Sequence, residues 1–230
     1  MLSIVLPTFN EVSNGILENI LKRLSQLPKS KFEVIVVDSF STDGTTQLIK
    51  KFDVTLLQVK TTSRAVRLNK GIEASNGEMI LLHHPRSILT IKGLEYLYTN
   101  HLNYKWGVFK HVFSEKHPLL YTTSWWSNYI RGKLRGIFYL DHCIFINSLL
   151  LKQIGLVPVV DIFEDTMLTE KLRKRANPVL LPFYSTTLAI RFIKNGVWRQ
   201  ALLNQKLKLM YYLGKNHQKM NKEYERGLDL

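Results

Sequence analysis

The stretch 31–46, KFEVIVVDSFSTDGTT, limits the fold of this chain more than any other. Residues 32–37 form a short apolar run rich in β-branched side chains, which is typical of a central strand covered on both faces. The run stops at Asp38 and is followed by SFSTDG, a turn rich in small residues, and by a predicted helix over 44–51. In an open α/β sheet, ligands bind at the carboxyl end of a buried strand, so Asp38 is either a binding residue or simply the first residue of a turn.

Similar strand and helix patterns alternate through the first hundred residues. This alternation predicts an α/β fold with a mostly parallel central sheet and helices on both faces. The loops after the first, second and fourth strands then meet at one sheet edge and bring Thr8, Asp38 and His83 together there. The predicted strands span 2–6, 32–37, 54–59 and 79–82, and the predicted helices span 12–27, 44–51 and 61–76.

The second half of the chain is predicted from the same two periodicities. A basic helix begins near Glu164 and Asp165, where acidic residues are favourable in any case because they interact with the helix dipole. The remaining predictions are helices over 90–102, 119–134 and 148–154, a strand over 105–113, and a short strand pair or loop over 178–184.

Composition limits the class of protein. The chain has 230 residues, of which 45% are hydrophobic, and this suits one large domain. Its one cysteine, Cys143, excludes an internal disulfide and a C-x-x-C metal site, so the sequence predicts a cytoplasmic protein. The first residues, MLSIVLPTFNE, lack a basic leader and turn polar after Leu6, which predicts a strand rather than a signal sequence or a membrane span.

The chain is strongly basic. Lys and Arg outnumber Asp and Glu by 32 to 18, and the net charge of +14 favours anionic partners such as nucleotides or acidic lipid headgroups. The basic residues are spread along the sequence, and neither a recognition helix nor an aromatic RNA-binding motif is present, so specific nucleic-acid binding is not expected.

The region near the C-terminus predicts a basic amphipathic helix over 197–213. Such a helix either lies on an anionic membrane surface or packs on its own domain, and the sequence leaves both interpretations open. Residues 216–230 form a charged tail whose composition is typical of disorder. The apolar positions of the helix are Trp198, Leu202, Leu209, Met210 and Leu213, and its basic positions include Arg199, Lys206 and Lys208.

Four motifs in this order, LSIVLPTFNE, VIVVDSFSTDGT, SRAVRLNKGIEASNGEMILL and FEDTMLTEKLRK, resemble those of glycosyltransferase family 2. Three others, GVFKHVFSEKHPLL, YLDHCIFI and NGVWRQALLNQKLKLMYYLG, are similar to a short bacterial subgroup of that family. The resemblance implies the GT-A fold of nucleotide-diphospho-sugar transferases. It implies one domain over 1–215, with a nucleotide-binding half over 1–103, an acceptor half over 104–195 and the amphipathic helix over 196–214, followed by the charged tail 216–230.

The resemblance also implies a nucleotide-diphospho-sugar donor and a hydroxyl acceptor that is a glycan or is lipid-linked. A carboxylate can accept a hydrogen bond from a base imide or a ribose hydroxyl, and a guanidinium suits a diphosphate. From the sequence alone, Arg64 and Arg67 are equally compatible with a solvated helix face. The donor-binding positions implied are Pro7, Thr8, Glu11, Asp38, Arg64, Asn69, His83, His84 and Arg86.

On the acceptor side, Asp165 matches the acid that family members use as general base. Inverting transfer requires such a group, because the acceptor hydroxyl loses its proton as it attacks the anomeric carbon. The resemblance places Glu164 beside it as a supporting residue or acceptor contact, and it places Asp141 and His142 in the acceptor-side loop.

The chain departs from the family after its fourth strand. Family members carry Asp-x-Asp there, or His-x-Asp in this subgroup, to bind Mg²⁺ or Mn²⁺, whereas this chain has His83-His84-Pro85-Arg86. Pro85 replaces the metal-binding acid and offers no ligand atom, so the sequence does not predict the usual divalent-cation site. The identity of any cofactor stays open. His83 is a weak candidate for a softer metal, because adjacent side chains of an extended segment point apart.

Three hypotheses follow from this departure. In the first, Arg64, Arg67 and Arg86 replace the metal and the transferase is metal-independent. In the second, the protein binds a nucleotide or nucleotide-sugar with little or no transfer. A third, a nucleotidyltransferase, lacks the glycine-rich basic N-terminal loop that such enzymes need.

Overall fold

An eight-stranded sheet forms the centre of the computed structural model, which describes residues 1–226 apart from the side chain of Asn14. The strands are β1 (Leu2–Thr8), β2 (Phe32–Asp38), β3 (Thr55–Gln58), β4 (Met79–Leu82), β5 (Ser87–Leu89), β6 (Trp106–Phe113), β7 (Ile144–Asn147) and β8 (Val179–Thr187). Their order is β3-β2-β1-β4-β7-β6-β8-β5. Strands β1 to β4 pair in parallel and β6 pairs in parallel with β8, whereas β7 is antiparallel to β4 and β6, and β5 is antiparallel to β8. The sheet is therefore mixed but mostly parallel, as predicted.

Helices cover both faces of this sheet. They are α1 (Ile16–Leu24), α2 (Thr45–Ile49), α3 (Arg64–Glu73), α4 (Ile91–Asn100), α5 (Pro118–Trp125), α6 (Ser148–Gln153), α7 (Glu164–Arg173), α8 (Ile190–Asn195), α9 (Val197–Tyr212) and α10 (His217–Glu225). Helix α5 continues directly into a π-helical segment, Trp126–Leu134.

Alternate residues of the central strands enter two separate hydrophobic cores, because successive strand side chains point to opposite faces. On β4, Met79 and Leu81 pack with α1 and α4 on one face, whereas Ile80 and Leu82 pack with α3, α6 and α7 on the other. With both faces covered, the strands are apolar throughout, and the polar residues of the chain are left for the strand ends.

Three predicted segments differ in the structure, and one strand is additional to the predictions. The helix predicted over 12–27 is interrupted at Gly15, whose φ of 66° is left-handed, so α1 begins only at Ile16. The segment predicted as a short strand pair or loop over 178–184 is one long strand, β8, and the three-residue strand β5 was not predicted at all.

The charged tail is the third difference. Part of it, predicted to be disordered, forms helix α10, whose Met220 is fully buried and whose Glu223 pairs with Lys206. Residues 227–230 of that tail lie outside the described residues. None of the helices within 1–226 combines the length and hydrophobicity that a transmembrane span requires.

Candidate active site

The site starts where the parallel strands end. The register of β1 against β2 places Thr8 opposite Asp38, and the Thr8 hydroxyl donates to Asp38 Oδ1 over 3.0 Å. The turn after β2 also donates to this carboxylate, from the Ser41 amide to Oδ2 over 2.8 Å and from the Thr46 hydroxyl over 3.1 Å. Asp38 is fully buried, so in this structure its carboxylate organises the loop, and its predicted contact with a nucleoside stays a prediction.

An ion pair joins the loop after β1 to the loop after β4. Arg86 Nε donates to Glu11 Oε2 over 2.9 Å, and Nη2 lies 3.3 Å from Oε1. Both side chains are mostly buried, so the pair is shielded from solvent and fixes the two loops relative to each other. Two residues predicted for the donor site therefore contact each other.

The adjacent histidines after β4 point in different directions, as expected for an extended segment. His83 is buried, and its Nδ1 donates to the His84 carbonyl over 2.9 Å. Burial lowers the pKa of His83 to about 4, so its ring is neutral at pH 7. His84 instead lines a cavity, and its Nδ1 accepts a hydrogen bond from the Arg86 amide.

The start of α7 supplies two carboxylates to the same region. Phe163, with a left-handed φ of 68°, precedes the helix and places Glu164 and Asp165 on its first turn. Arg64, the first residue of α3, forms an ion pair with Glu164, and its Nη2 lies 3.6 Å from Asp165 Oδ2. The predicted donor-side arginine thus contacts the predicted base.

Asp165 is held in an environment that favours its protonated form. Burial and the neighbouring Glu164 raise the pKa of Asp165 to about 6, although the Arg64 cation opposes the shift. Its Oδ2 accepts a hydrogen bond from the Leu140 amide over 3.0 Å. A carboxylate whose pKa lies just below neutral pH is suited to accept a proton at neutral pH.

Asp165 faces a cavity of about 230 Å³ at the carboxyl edge of the sheet. One part of its wall is polar and carries Arg64, His84, Arg86, Asp141 and Asp165. Another part is apolar and includes Phe113, Leu188, Phe192 and Leu207. The cavity therefore offers ionisable groups beside a wall that suits an apolar portion of a ligand.

Helix α10 supplies one wall of this cavity through Tyr224. The helix is attached by Arg191, which donates to the Tyr224 carbonyl over 2.9 Å and pairs with Glu225 at 3.0 Å. Further contacts are the Lys206–Glu223 ion pair and a bond between His217 Nδ1 and the Ile162 carbonyl. The segment predicted to be a disordered tail is thus part of the candidate site.

The two residues predicted for the acceptor-side loop, Asp141 and His142, lie in different surroundings. Asp141 lines the cavity, and its Oδ2 lies 3.5 Å from His111 Nε2. His142 is fully buried instead, with Nδ1 donating to the Phe109 carbonyl and Nε2 accepting from the Ser127 hydroxyl. Burial lowers the pKa of His142 to about 3, so its ring is neutral within the core, and its predicted contact with the acceptor stays a prediction.

Two predicted donor residues also have structural roles here. The Asn69 side chain donates to the Val157 carbonyl and accepts from the Val157 amide, at 2.9 and 3.0 Å, so its amide is occupied in joining α3 to the loop after α6. Pro7 lies within β1 opposite Val37 and is buried. The predicted contact of Asn69 with the donor stays a prediction, since this amide is bonded to Val157 in the structure.

Several cavity residues were not predicted from the sequence. The Arg131 guanidinium lies over the Tyr139 ring at 3.5 Å, and burial lowers the pKa of nearby Lys208 to about 8. Arg131 lies in the π-helical segment after α5, and Lys208 lies on α9. The sequence offered no signal that these helices enclose the site.

A family model described as glycosyl transferase family 2 matches residues 3–135, which is more than half of the chain. The chain belongs to glycosyltransferase family 2. Glycosyltransferase AglE of Haloferax volcanii is a curated relative, 34% identical over 89 residues that cover 34% of this chain and 28% of that protein. The chain thus matches well under half the length of this relative.

Solved structures confirm the GT-A fold of this family 2 protein. TarS 1–349 of S. aureus in complex with UDP-GlcNAc has a TM-score of 0.65 at 22% identity, covering 81% of this chain and 58% of that chain. Mannosyltransferase PcManGT from Pyrobaculum calidifontis, in complex with GDP-Man and Mn²⁺, has a TM-score of 0.66 at 20% identity, covering 90% and 60%. The chain spans about three fifths of each, and identities this low support the fold alone.

The family's usual divalent cation does not fit the residues after β4. Pro85 has no ligand atom, His83 Nδ1 is bound to a backbone carbonyl, and Arg86 brings a positive charge to this loop. Within residues 1–226, no group of three or more His, Cys, Asp or Glu side chains is arranged to hold a metal ion.

Proposed function

We propose that this family 2 protein transfers a sugar from a nucleotide-diphospho-sugar to a hydroxyl acceptor with inversion at the anomeric carbon. The observation that carries the proposal is Asp165, a buried carboxyl with a raised pKa that faces the cavity beside Arg64. The nucleotide is held by the loops that carry Thr8, Glu11 and Asp38, at the same edge of the sheet.

In the proposed mechanism, Asp165 accepts the proton of the acceptor hydroxyl. The freed oxygen attacks the anomeric carbon, the bond from that carbon to the diphosphate breaks, and the electron pair leaves with the nucleoside diphosphate. Leu140 and Arg64 hold the Asp165 carboxylate in place, since both contact its Oδ2. Asp141 and His84, which line the same cavity, are available to the acceptor.

We propose that fixed positive charge, rather than a metal, stabilises the departing diphosphate. The sequence suggests three arginines for this role, and the structure distinguishes between them. Arg64 is paired with Glu164 and Arg86 is paired with Glu11, so their charges are largely compensated. Arg67 is buried without such a partner among the described residues.

The test is transfer to an acceptor, or slow hydrolysis, over a panel of UDP- and GDP-sugars. Asp165→Asn should lower the rate by about 10²- to 10⁴-fold, because it removes the proton acceptor, while nucleotide affinity stays unchanged. Asp161→Asn is the matched control, since Asp161 is an exposed acid four residues away. A chelator should leave the wild-type rate unchanged.

Three results would contradict parts of this proposal. Full activity in Asp165→Asn would show that another group accepts the proton. Activity that requires Mn²⁺ and is lost in His83→Ala would show a metal-dependent site. Nucleotide binding without turnover across the panel would favour the alternative function, a nucleotide-sugar-binding relative with little transfer activity.

We also propose that the protein acts at an anionic membrane surface through residues 197–213, as a peripheral protein on the cytoplasmic face. Helix α9 places its apolar side chains outward: Trp198 is 69% exposed and Leu202 is 71% exposed. The inward face carries the two buried residues of α9, Leu207 and Gln200, and Gln200 is hydrogen-bonded to Asn195 and Asn204. The outward apolar stripe of the segment consists of Trp198, Leu202, Leu209 and Leu213. These side chains are exposed instead of packing on the domain, which favours the membrane interpretation.

Helix α5 and its π-helical continuation, which carry several aromatic side chains, lie beside α9. Leu120 of α5 belongs to a hydrophobic cluster that includes Val197 and Ala201, and Arg135, just after the π-helical segment, donates to the Tyr212 hydroxyl over 2.8 Å. The large apolar side chains exposed on α5 and on the π-helical segment that continues it are Tyr121, Trp125, Trp126 and Leu134. Both helices enclose the cavity, so a membrane bound by them lies close to it, and this supports a lipid-linked acceptor.

A further inference from the structure

Arg67 is a buried cation, and two of its three guanidinium nitrogens have no hydrogen-bond partner among residues 1–226. Its side chain lies on α3 and the residue is only 8% exposed. Nε and Nη1 are both buried, and neither has a hydrogen-bond partner within residues 1–226. These two nitrogens carry three N–H groups, and leaving buried donors unsatisfied costs free energy in the unliganded protein.

The packing of α3 determines where Arg67 lies. Gly71 of this helix sits against the sheet so closely that an added Cβ would lie 2.3 Å from Val5 Cγ1 and 3.1 Å from Val37 Cγ2. Arg67 is one helical turn before Gly71, which is about 6 Å along the axis. Because α3 connects parallel strands, that direction leads to the carboxyl ends of β1 and β2, where Asp38 lies.

The carboxylates nearest to Arg67 in charge interaction are Glu11, Asp38 and Glu164, and each is already engaged. Glu11 pairs with Arg86, and Glu164 pairs with Arg64. Asp38 accepts hydrogen bonds from hydroxyl and amide groups of its own and the neighbouring loop. Within the described part of the chain, no carboxylate is therefore dedicated to the positive charge of Arg67.

The surroundings make this charge costly in the free protein. Burial and the charge of Arg64 lower the pKa of Arg67, because both disfavour its ionised form. The nearest aromatic ring is Phe9, whose centroid lies 5.8 Å from the guanidinium carbon, and a cation–π contact at that distance compensates only part of the lost solvation. The buried, poorly compensated guanidinium of Arg67 therefore favours an anionic ligand as its partner.

We propose that Arg67 binds a phosphate group of the nucleotide donor. The proposal rests on the proposed function and adds the residue that recognises the anionic part of the donor. A neutral carbonyl of the base could accept a hydrogen bond from Arg67 but could not compensate its positive charge, whereas a phosphate does both. Since Pro85 removes the family's usual metal ligand, Arg67 supplies positive charge that this site otherwise lacks.

The experiment compares nucleotides with nucleosides by titration calorimetry. The full-length protein and its Arg67→Gln variant are titrated with UDP, uridine, GDP, guanosine and inorganic pyrophosphate. Arg67→Gln should bind the better diphosphate at least about tenfold more weakly, while the affinity for the matching nucleoside changes less than about twofold. Lys70→Gln is the matched control, because it removes one positive charge from the exposed face of the same helix and should leave every affinity unchanged.

A stability measurement separates ligand binding from a structural role. Removing an unpaired buried charge should leave the unliganded melting temperature of Arg67→Gln equal to or above that of the wild type, while the shift produced by UDP or GDP becomes smaller. Arg67→Lys, which keeps the charge but has fewer donors, is measured in parallel and should bind the diphosphate with intermediate affinity.

Three outcomes would overturn the inference. They are equal losses for nucleoside and nucleotide, unchanged nucleotide affinity, and a lower melting temperature with loss of every ligand. A wild-type protein that binds pyrophosphate through Arg67 but no nucleotide would support the anion site and contradict the proposed function. Nucleotide binding that is independent of Arg67 would contradict this inference alone, and a wild type that binds none of the probes would contradict both.

Discussion

Asp165 lies between a cation, Arg64, and an anion, Glu164, and both act on its proton affinity. Because the pKa of Asp165 is raised to about 6 and the base must be ionised, kcat/KM should increase from pH 5 to pH 7 with a midpoint near pH 6. Glu164→Gln removes the negative neighbour that raises this pKa, so the midpoint should move to lower pH.

The measurement is the pH dependence of kcat/KM for the wild type, Glu164→Gln and the control Glu73→Gln, in which an exposed acid is changed. The control should keep the wild-type midpoint. A midpoint that is the same in all three proteins would mean that a different group titrates.

Residues at strand ends could be predicted from the sequence, and residues whose partners are distant in the chain could not. Thr8 and Asp38 meet because parallel strands place their carboxyl ends together, which apolar runs already indicate. The divergence of His83 and His84 likewise follows from the alternation of an extended segment. Asn69 is different, because its partner Val157 is 88 positions away and lies in a loop that no periodicity describes.

At the scale of elements, the contact of α3 with β1 and β2 determines where the arginines of the site lie. Gly71→Ala should destabilise the protein by about 1–3 kcal/mol, because its Cβ would lie 2.3 Å from a buried valine of β1. Relief of this overlap moves the helix away from the sheet, so nucleotide affinity should decrease as well. Thermal unfolding and nucleotide titration check both expectations.

Lys70→Ala is the control for this prediction, since it changes an exposed neighbour on the same helix and should be close to neutral. A Gly71→Ala protein as stable as the wild type would show that α3 can shift at little cost.

Elements with a strong periodicity were predicted well, and those with a local irregularity were not. Strand β8 contains Pro182, which normally indicates the end of a strand. In the structure the register of β6 against β8 shifts between Phe109 and Lys110, whose partners are Leu181 and Tyr184. The proline is therefore skipped in an irregularity of the ladder, and only the tertiary pairing of β6 with β8 shows this.

At the scale of the whole molecule, the net charge of +14 and the outward apolar stripe of α9 predict binding to anionic membranes. The protein should co-sediment with phosphatidylglycerol vesicles at low salt. Co-sedimentation should be weaker at about 0.5 M salt, because salt screens the attraction between the basic protein and the anionic headgroups. The double variant Trp198→Ser, Leu202→Ser should bind several-fold more weakly.

Leu102→Ser is the matched control, because Leu102 is 80% exposed but lies on a different element, after α4. It should bind vesicles like the wild type. No sedimentation even at low salt, or equal binding by all variants, would show that the protein does not bind membranes through α9.

Helix α10, which supplies one wall of the cavity, is attached in part by ion pairs. Its ion pairs with Arg191 and Lys206 include exposed groups, and such contacts contribute little to stability and weaken as salt increases. Only Met220 anchors the helix by full burial. Higher ionic strength should therefore loosen this wall of the cavity while the buried Met220 still holds the helix.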